Sequence, residues 1–186
     1  MSKAHDLLNK YWGWSDFRSG QEEAILLHFQ QKTLLLYCQL GRKVLVLSNE
    51  CAFARGICVV VSPLIALMID QVNSLKRKNI RAMSIHGTMR ENELVEALDQ
   101  CAFGNIKLLY LSPERLLNPI VPAFENIRYI SFSSGRSALY LQWGHDFRPA
   151  YRKIGEFHKL INEPPIMASL PLQHQKSKKI LLHHWN

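Results

Sequence analysis

The sequence predicts an α/β fold, a single three-layer domain with a mainly parallel sheet flanked by helices. Three observations carry this. Ile57 to Val61 (ICVVV) and Ile106 to Leu111 (IKLLYL) are short, nearly continuous apolar runs, each closed by Ser-Pro, as expected of strands covered on both faces. Helix-type segments alternate with these strands, which is the order that parallel βαβ units require. The chain has 186 residues and is 47% apolar, enough to build one core without disulfide staples.

Taken in order, Lys3 to Leu8 reads as a helix, followed by an aromatic turn, Tyr11-Trp12-Gly13-Trp14. Ser15 or Asp16 can cap a helix running through Gln21 to Phe29, with Ala24, Ile25 and Leu27 at its apolar positions. Thr33 to Tyr37 and Val44 to Leu47 are short strand-type runs. After ICVVV, Leu64 to Lys76 reads as a helix, Ile80 to Ile85 as a strand and Glu91 to Gln100 as a helix. IKLLYL follows. Tyr129 to Phe132 is a weaker strand, and ISFSS at 130–134 is less apolar than a central strand should be. Tyr151 to Ile161 reads as a helix, Ile166 to Ala168 as a short strand and Gln175 to Leu182 as a last helix. In such folds sites lie at the carboxyl ends of the strands, the edge where both Ser-Pro turns fall.

Lys and Arg number 23 against 15 Asp and Glu, a net charge of +8, which suits a polyanion such as nucleic acid and equally a generic basic surface. The four cysteines, Cys38, Cys51, Cys58 and Cys101, form no CxxC pair, and no His cluster has ligand spacing, so no metal site is expected. The start, Met1 to Lys10, is polar and amphipathic, unlike a signal peptide, and no apolar run reaches membrane-span length. An intracellular protein with reduced thiols is expected.

Four blocks carry a family resemblance. Trp12-Gly13-Trp14-Ser15-Asp16-Phe17-Arg18-Ser19-Gly20-Gln21, Val59 to Gln71 (VVVSPLIALMIDQ), Leu109 to Leu117 (LYLSPERLL) and Gln142 to Pro149 (QWGHDFRP) occur in this order. Together they resemble the first RecA-like lobe of RecQ-family DNA helicases, a P-loop NTPase type of fold. The resemblance implies a single lobe over residues 1–186, with no second lobe, zinc subdomain or winged helix following, and hence no arginine finger. It places Trp14, Arg18 and Gln21 at the adenine nucleotide: a ring stacks on adenine, and a Gln amide both donates to and accepts from its edge. It places Ser62, Pro63, Gln71, Ser112 and Arg115 along a DNA strand. In the aromatic-rich loop, Trp143 and Phe147 stack on bases, while His145 and Arg148 reach phosphate or the nucleotide site.

The family uses ATP and Mg²⁺, and at three positions this chain departs from what they need. A gap-free count puts the phosphate loop at Gln39-Leu40-Gly41-Arg42-Lys43-Val44. Gly41 and Lys43 fit. Leu40 and Arg42 add Cβ atoms where backbone must approach phosphate, and Val44 has no hydroxyl for magnesium. The Asp-Glu-Ala-His motif falls at Gly135-Arg136-Ser137-Ala138, which offers no carboxylate for the metal or the attacking water. The Thr-Ala-Thr motif falls at Leu170 to Leu172, Leu-Pro-Leu. Three separated motifs have changed while the blocks between them still match. The sequence leaves natural and engineered loss both open.

The reading is therefore a catalytically dead RecQ-like lobe. No catalytic residue, no productively bound cofactor and no metal are expected. Weak binding of single-stranded or partly duplex DNA, and of adenine nucleotide, is expected, with no membrane. Residence would be nuclear in a eukaryote, and cytoplasmic or nucleoid in a bacterium. Two alternatives stand beside it: a scaffold that keeps only the fold, and an active ATP-dependent helicase fragment working through Lys43.

Overall fold

The computed structural model describes residues 2–17, 21, 22, 25, 34–37, 56–117, 129–134 and 154–170. Its elements are α1 (Ser2–Trp12), β1 (Leu34–Tyr37), β2 (Ile57–Val61), α2 (Ile65–Arg77), β3 (Ala82–Ile85), α3 (Glu91–Phe103), β4 (Leu108–Leu111), a 3-10 turn (Pro113–Leu117), β5 (Tyr129–Ser134), α4 (Ile154–Leu160) and β6 (Ile166–Leu170). The expected strand at Val44 to Leu47 and the helix at Gln175 to Leu182 lie outside the described residues, as does most of the helix expected through Gln21 to Phe29, of which Gln21, Glu22 and Ile25 are helical.

The six strands form one sheet in the order β1-β6-β5-β2-β4-β3, and every pairing is parallel. Because side chains alternate across a strand, β2 and β4 send residues to opposite faces. Val59, Val61, Leu109 and Leu111 pack with Ala97 and Cys101 of α3 and with Ile154 and Phe157 of α4. Cys58, Val60, Leu108 and Tyr110 pack with Met68, Val72 and Leu75 of α2, with Ile25, and with Tyr11, Trp12 and Phe17. Helices thus cover both faces, giving the three layers that two-sided burial of ICVVV and LLYL demands.

Several element boundaries differ from the sequence expectation for local reasons. α1 continues through Tyr11 and Trp12, so the aromatic turn begins only at Gly13, whose N–H closes on Asn9 O at 2.8 Å and whose φ of 70° suits glycine beyond a helix end. β3 starts at Ala82 because the Ile80 N–H is held by Leu75 O in the exit turn of α2, where Asn79 takes φ 59°. α3 runs on to Phe103. It stops at Gly104, where a Cβ would sit 2.5 Å from Gln100 O. Its start is fixed by the Arg90 N–H donating to the Glu93 carboxylate at 2.8 Å.

β5 departs furthest from expectation. It extends to Ser134 and occupies a central position between β2 and β6, despite its serines. Its place is set by backbone pairing on both sides: Ser133 and Ser134 pair with Val60 and Val61, and also with Met167 and Ala168. β6 likewise reaches Leu170 because that residue pairs with Tyr37 of β1.

Two of the cysteines, Cys58 and Cys101, are described, and both are free and buried. Burial of Cys101, whose Sγ lies 3.5 Å from Met83 Sδ, pushes its thiol from 9.0 up to about 12. The thiolate is the reactive form. Cys101 is therefore expected to resist a thiol reagent at neutral pH in the native state and to react on unfolding. Rapid native labelling of a Cys101-only variant would contradict this. The neutral thiol's contribution to stability is complete below about pH 9 and is lost as pH rises toward 12.

Candidate nucleic-acid interface

Parallel strands bring their carboxyl ends to one edge of the sheet, and β2, β4 and β3 are neighbours there. The ladder continues one rung past each strand. Ser62 N–H donates to Leu111 O at 3.0 Å, and Ser112 N–H donates to Ile85 O at 3.1 Å. These bonds set the two Ser-Pro turns side by side. Ser62, Pro63 and Ser112 are all buried. The Ser62 hydroxyl accepts weakly from Leu64 N–H at 3.5 Å, as α2 begins. The Ser112 hydroxyl is buried and has no hydrogen-bond partner among the described residues. An unsatisfied buried hydroxyl costs about 1–3 kcal/mol, so a donor or acceptor brought to this edge would relieve it.

Arg115 reaches from the 3-10 turn to the loop after β3. Its Nε donates to His86 O at 3.1 Å, and its Nη2 to Gly87 O at 3.3 Å and Met89 O at 3.0 Å. The guanidinium fork suits this convergence of carbonyls. Within the loop, His86 Nδ1 lies 2.9 Å from Thr88 Oγ1, and the His86 N–H points at Met89 Sδ at 3.4 Å. Sequence reasoning passed over His86, Gly87 and Thr88. The rule that drew attention to Ser62 and Ser112, polar residues directly after a strand, applies equally to this loop.

The remaining candidates fall in two groups. Trp14 is 44% exposed on the turn after α1, with the Ser15 hydroxyl donating to Asp16 beside it. Phe17 is anchored edge-on against His5 of α1, with centroids 5.0 Å apart. Gln21 is buried and helical, and Gln71 is half-buried on α2. Arg18, Gly41, Lys43, Trp143, His145, Phe147 and Arg148 lie outside the described residues, as do positions 40, 42, 44, 135–138, 171 and 172. Among the described residues, then, Ser62, Pro63, Ser112 and Arg115 are brought together at one edge. The central strand β5 ends at Ser134, immediately before Gly135 and Arg136 in sequence.

No family model matches the chain. Full-length sequences do. Over 173 residues, 91% of this chain, it is 34% identical to the ATP-dependent DNA helicase RecQ of Bacillus subtilis. Over 98% of the chain it is 32% identical to the protein of that name from Pasteurella multocida. The chain is a homologue of the RecQ helicases. It spans 29% of the length of each of these two RecQ proteins. The likeness extends to eukaryotes, with 28% identity to the RecQ-like DNA helicase BLM of Xenopus laevis over 95% of the chain and 14% of that protein. A solved structure described as a hypothetical ATP-dependent RNA helicase from Sulfolobus tokodaii superposes with a TM-score of 0.70. It is 13% identical, and the match covers 99% of this chain and 55% of that one, which establishes the helicase-type α/β fold. Among the described residues no helix is long and apolar enough to cross a membrane, and no group of three or more His, Cys, Asp or Glu residues is placed to hold a metal.

Proposed function

We propose that this chain is a RecQ-like N-terminal helicase lobe that binds DNA but does not hydrolyse ATP or unwind. The observation that carries the reading is a contrast within one sequence. RecQ homology extends over more than nine-tenths of the chain, yet Leu40, Arg42, Val44, Gly135 and Arg136 stand where phosphate and magnesium would be handled. These residues do not fit a magnesium nucleotide, since they supply neither a hydroxyl nor a carboxylate, and Arg136 brings the opposite charge. Gly41 and Lys43 offer at most a cation near phosphate, and Trp14, Arg18 and Gln21 an adenine site, so any nucleotide binding is weak. The DNA-facing residues in this reading are Ser62, Pro63, Gln71, Ser112, Arg115, Trp143, His145, Phe147 and Arg148.

A labelled single-stranded oligonucleotide, followed by fluorescence anisotropy, should bind weakly, with an affinity that falls steeply as salt rises. Trp143→Ala should weaken binding by about 1–3 kcal/mol if base stacking contributes. No binding at low salt, together with no thermal shift on adding ATP and magnesium, would leave a scaffold that retains only the fold. DNA-stimulated phosphate release abolished by Lys43→Ala would instead establish an active fragment.

A further inference from the structure

No Asp or Glu occurs between Asp70 and Glu91, while Lys76, Arg77, Lys78 and Arg81 crowd the end of α2 and the turn into β3. In a parallel sheet the connections leading into successive strands share the amino edge, opposite the carboxyl edge that carries Ser62 and Ser112. The α2–β3 and α3–β4 connections are joined there. Arg81 O accepts from the Lys107 N–H at 2.8 Å and the Leu108 N–H at 3.3 Å, and Arg81 Nη1 donates to Gly104 O at 3.1 Å. The end of α1 joins them, because Lys78 Nζ donates to Tyr11 O at 2.8 Å and lies 5.5 Å from the centre of the Trp12 ring.

Lys76, Arg77 and Arg81 are exposed. So is Phe103, at 87%, directly before the glycine that Arg81 holds. Phe103 closes α3 but does not share its buried stripe of Ala97 and Cys101. A lone exposed Phe is ordinary. Here Arg81 bonds to the residue after Phe103, and Lys76 and Arg77 lie on the last turn of α2 at the same sheet edge, so a stacking plane and phosphate ligands share one edge, the pairing that single-stranded nucleic acid uses. One ring offers too little apolar area for insertion into a lipid surface, which needs a continuous apolar face.

We propose that this amino edge is a second contact for single-stranded nucleic acid, with Lys76, Arg77 and Arg81 on phosphates and Phe103 stacked on a base. It is independent of the carboxyl-edge interface. Lys78 and the Nη1 group of Arg81 maintain the turn, so the variants to use are Phe103→Ala and the double change Lys76→Ala with Arg77→Ala, all at exposed positions whose truncation should leave the fold intact.

With an oligothymidylate probe, Phe103→Ala should weaken binding roughly 5- to 150-fold. The double variant should lower the slope of log affinity against log salt by about 1.4, or 0.7 for each lost phosphate contact. Unchanged affinity and slope in both variants, while Trp143→Ala still weakens binding, would overturn this inference alone. The reverse pattern would support it and overturn the carboxyl-edge reading. Binding to phosphatidylserine vesicles that is lost in Phe103→Ala, with oligonucleotide affinity unchanged, would overturn it in favour of a membrane contact. A parent chain that binds no oligonucleotide at low salt would overturn both.

Discussion

Phe157→Ala should destabilise the native chain by about 3–5 kcal/mol. Phe157 is 1% exposed and lies in the core cluster with Leu109, Leu111 and Leu116. It is carried by α4, a helix of seven residues. A helix so short has no independent stability in water, so its position depends on what it buries. Ile154 and Phe157, with Ile161 just past the helix end, are what it buries, and α4 packs on the 3-10 turn that also carries Arg115. Truncating the ring removes its transfer free energy and leaves a cavity between α4 and β4 that rigid strands cannot close. Urea unfolding should show a lower midpoint with an unchanged slope. Glu156→Ala, at an exposed position on the same helix, should stay within about 0.5 kcal/mol of the parent. A loss of less than about 1 kcal/mol for Phe157→Ala would mean that α4 is not held by this packing.

The layers of this fold were legible where burial is two-sided. ICVVV and LLYL are continuous apolar runs because both faces of β2 and β4 meet helices, so period and composition coincide there with position in the sheet. β5 was harder to read. Half of YISFSS is serine, yet its backbone pairs with β2 on one side and β6 on the other, and a backbone ladder leaves little trace in side-chain composition. The end of α1 was hidden for a different reason. By sequence Tyr11 and Trp12 group with Gly13 in an aromatic turn, but they pack on the α2 face of the sheet, a tertiary contact that no local propensity contains. At the candidate site, Ser62 and Ser112 were legible from strand-end position alone. The partners of Arg115 were not. They lie 26 to 29 residues earlier in the chain, and the carbonyls that attract the guanidinium are backbone atoms any residue could supply.

Arg115→Ala should cost about 2–4 kcal/mol, since a hydrogen bond to a charged group is worth about 1.5–3 kcal/mol and bonds that share one side chain do not simply add. Water recovers some of the loss at Gly87, which is exposed where His86 and Met89 are half-buried. Arg115→Lys should recover less than half, because an ammonium cannot present a planar fork to carbonyls on His86, Gly87 and Met89 at once. Hydrogen exchange in the His86–Met89 loop, together with urea midpoints, reads this directly, and a lysine variant as stable as the parent would refute the bracing role. The same variants separate bracing from direct DNA contact. If Arg115 only holds the loop, Arg115→Ala changes oligonucleotide affinity but leaves its salt slope unmoved. If the guanidinium also neutralises a phosphate, the slope falls by about 0.7.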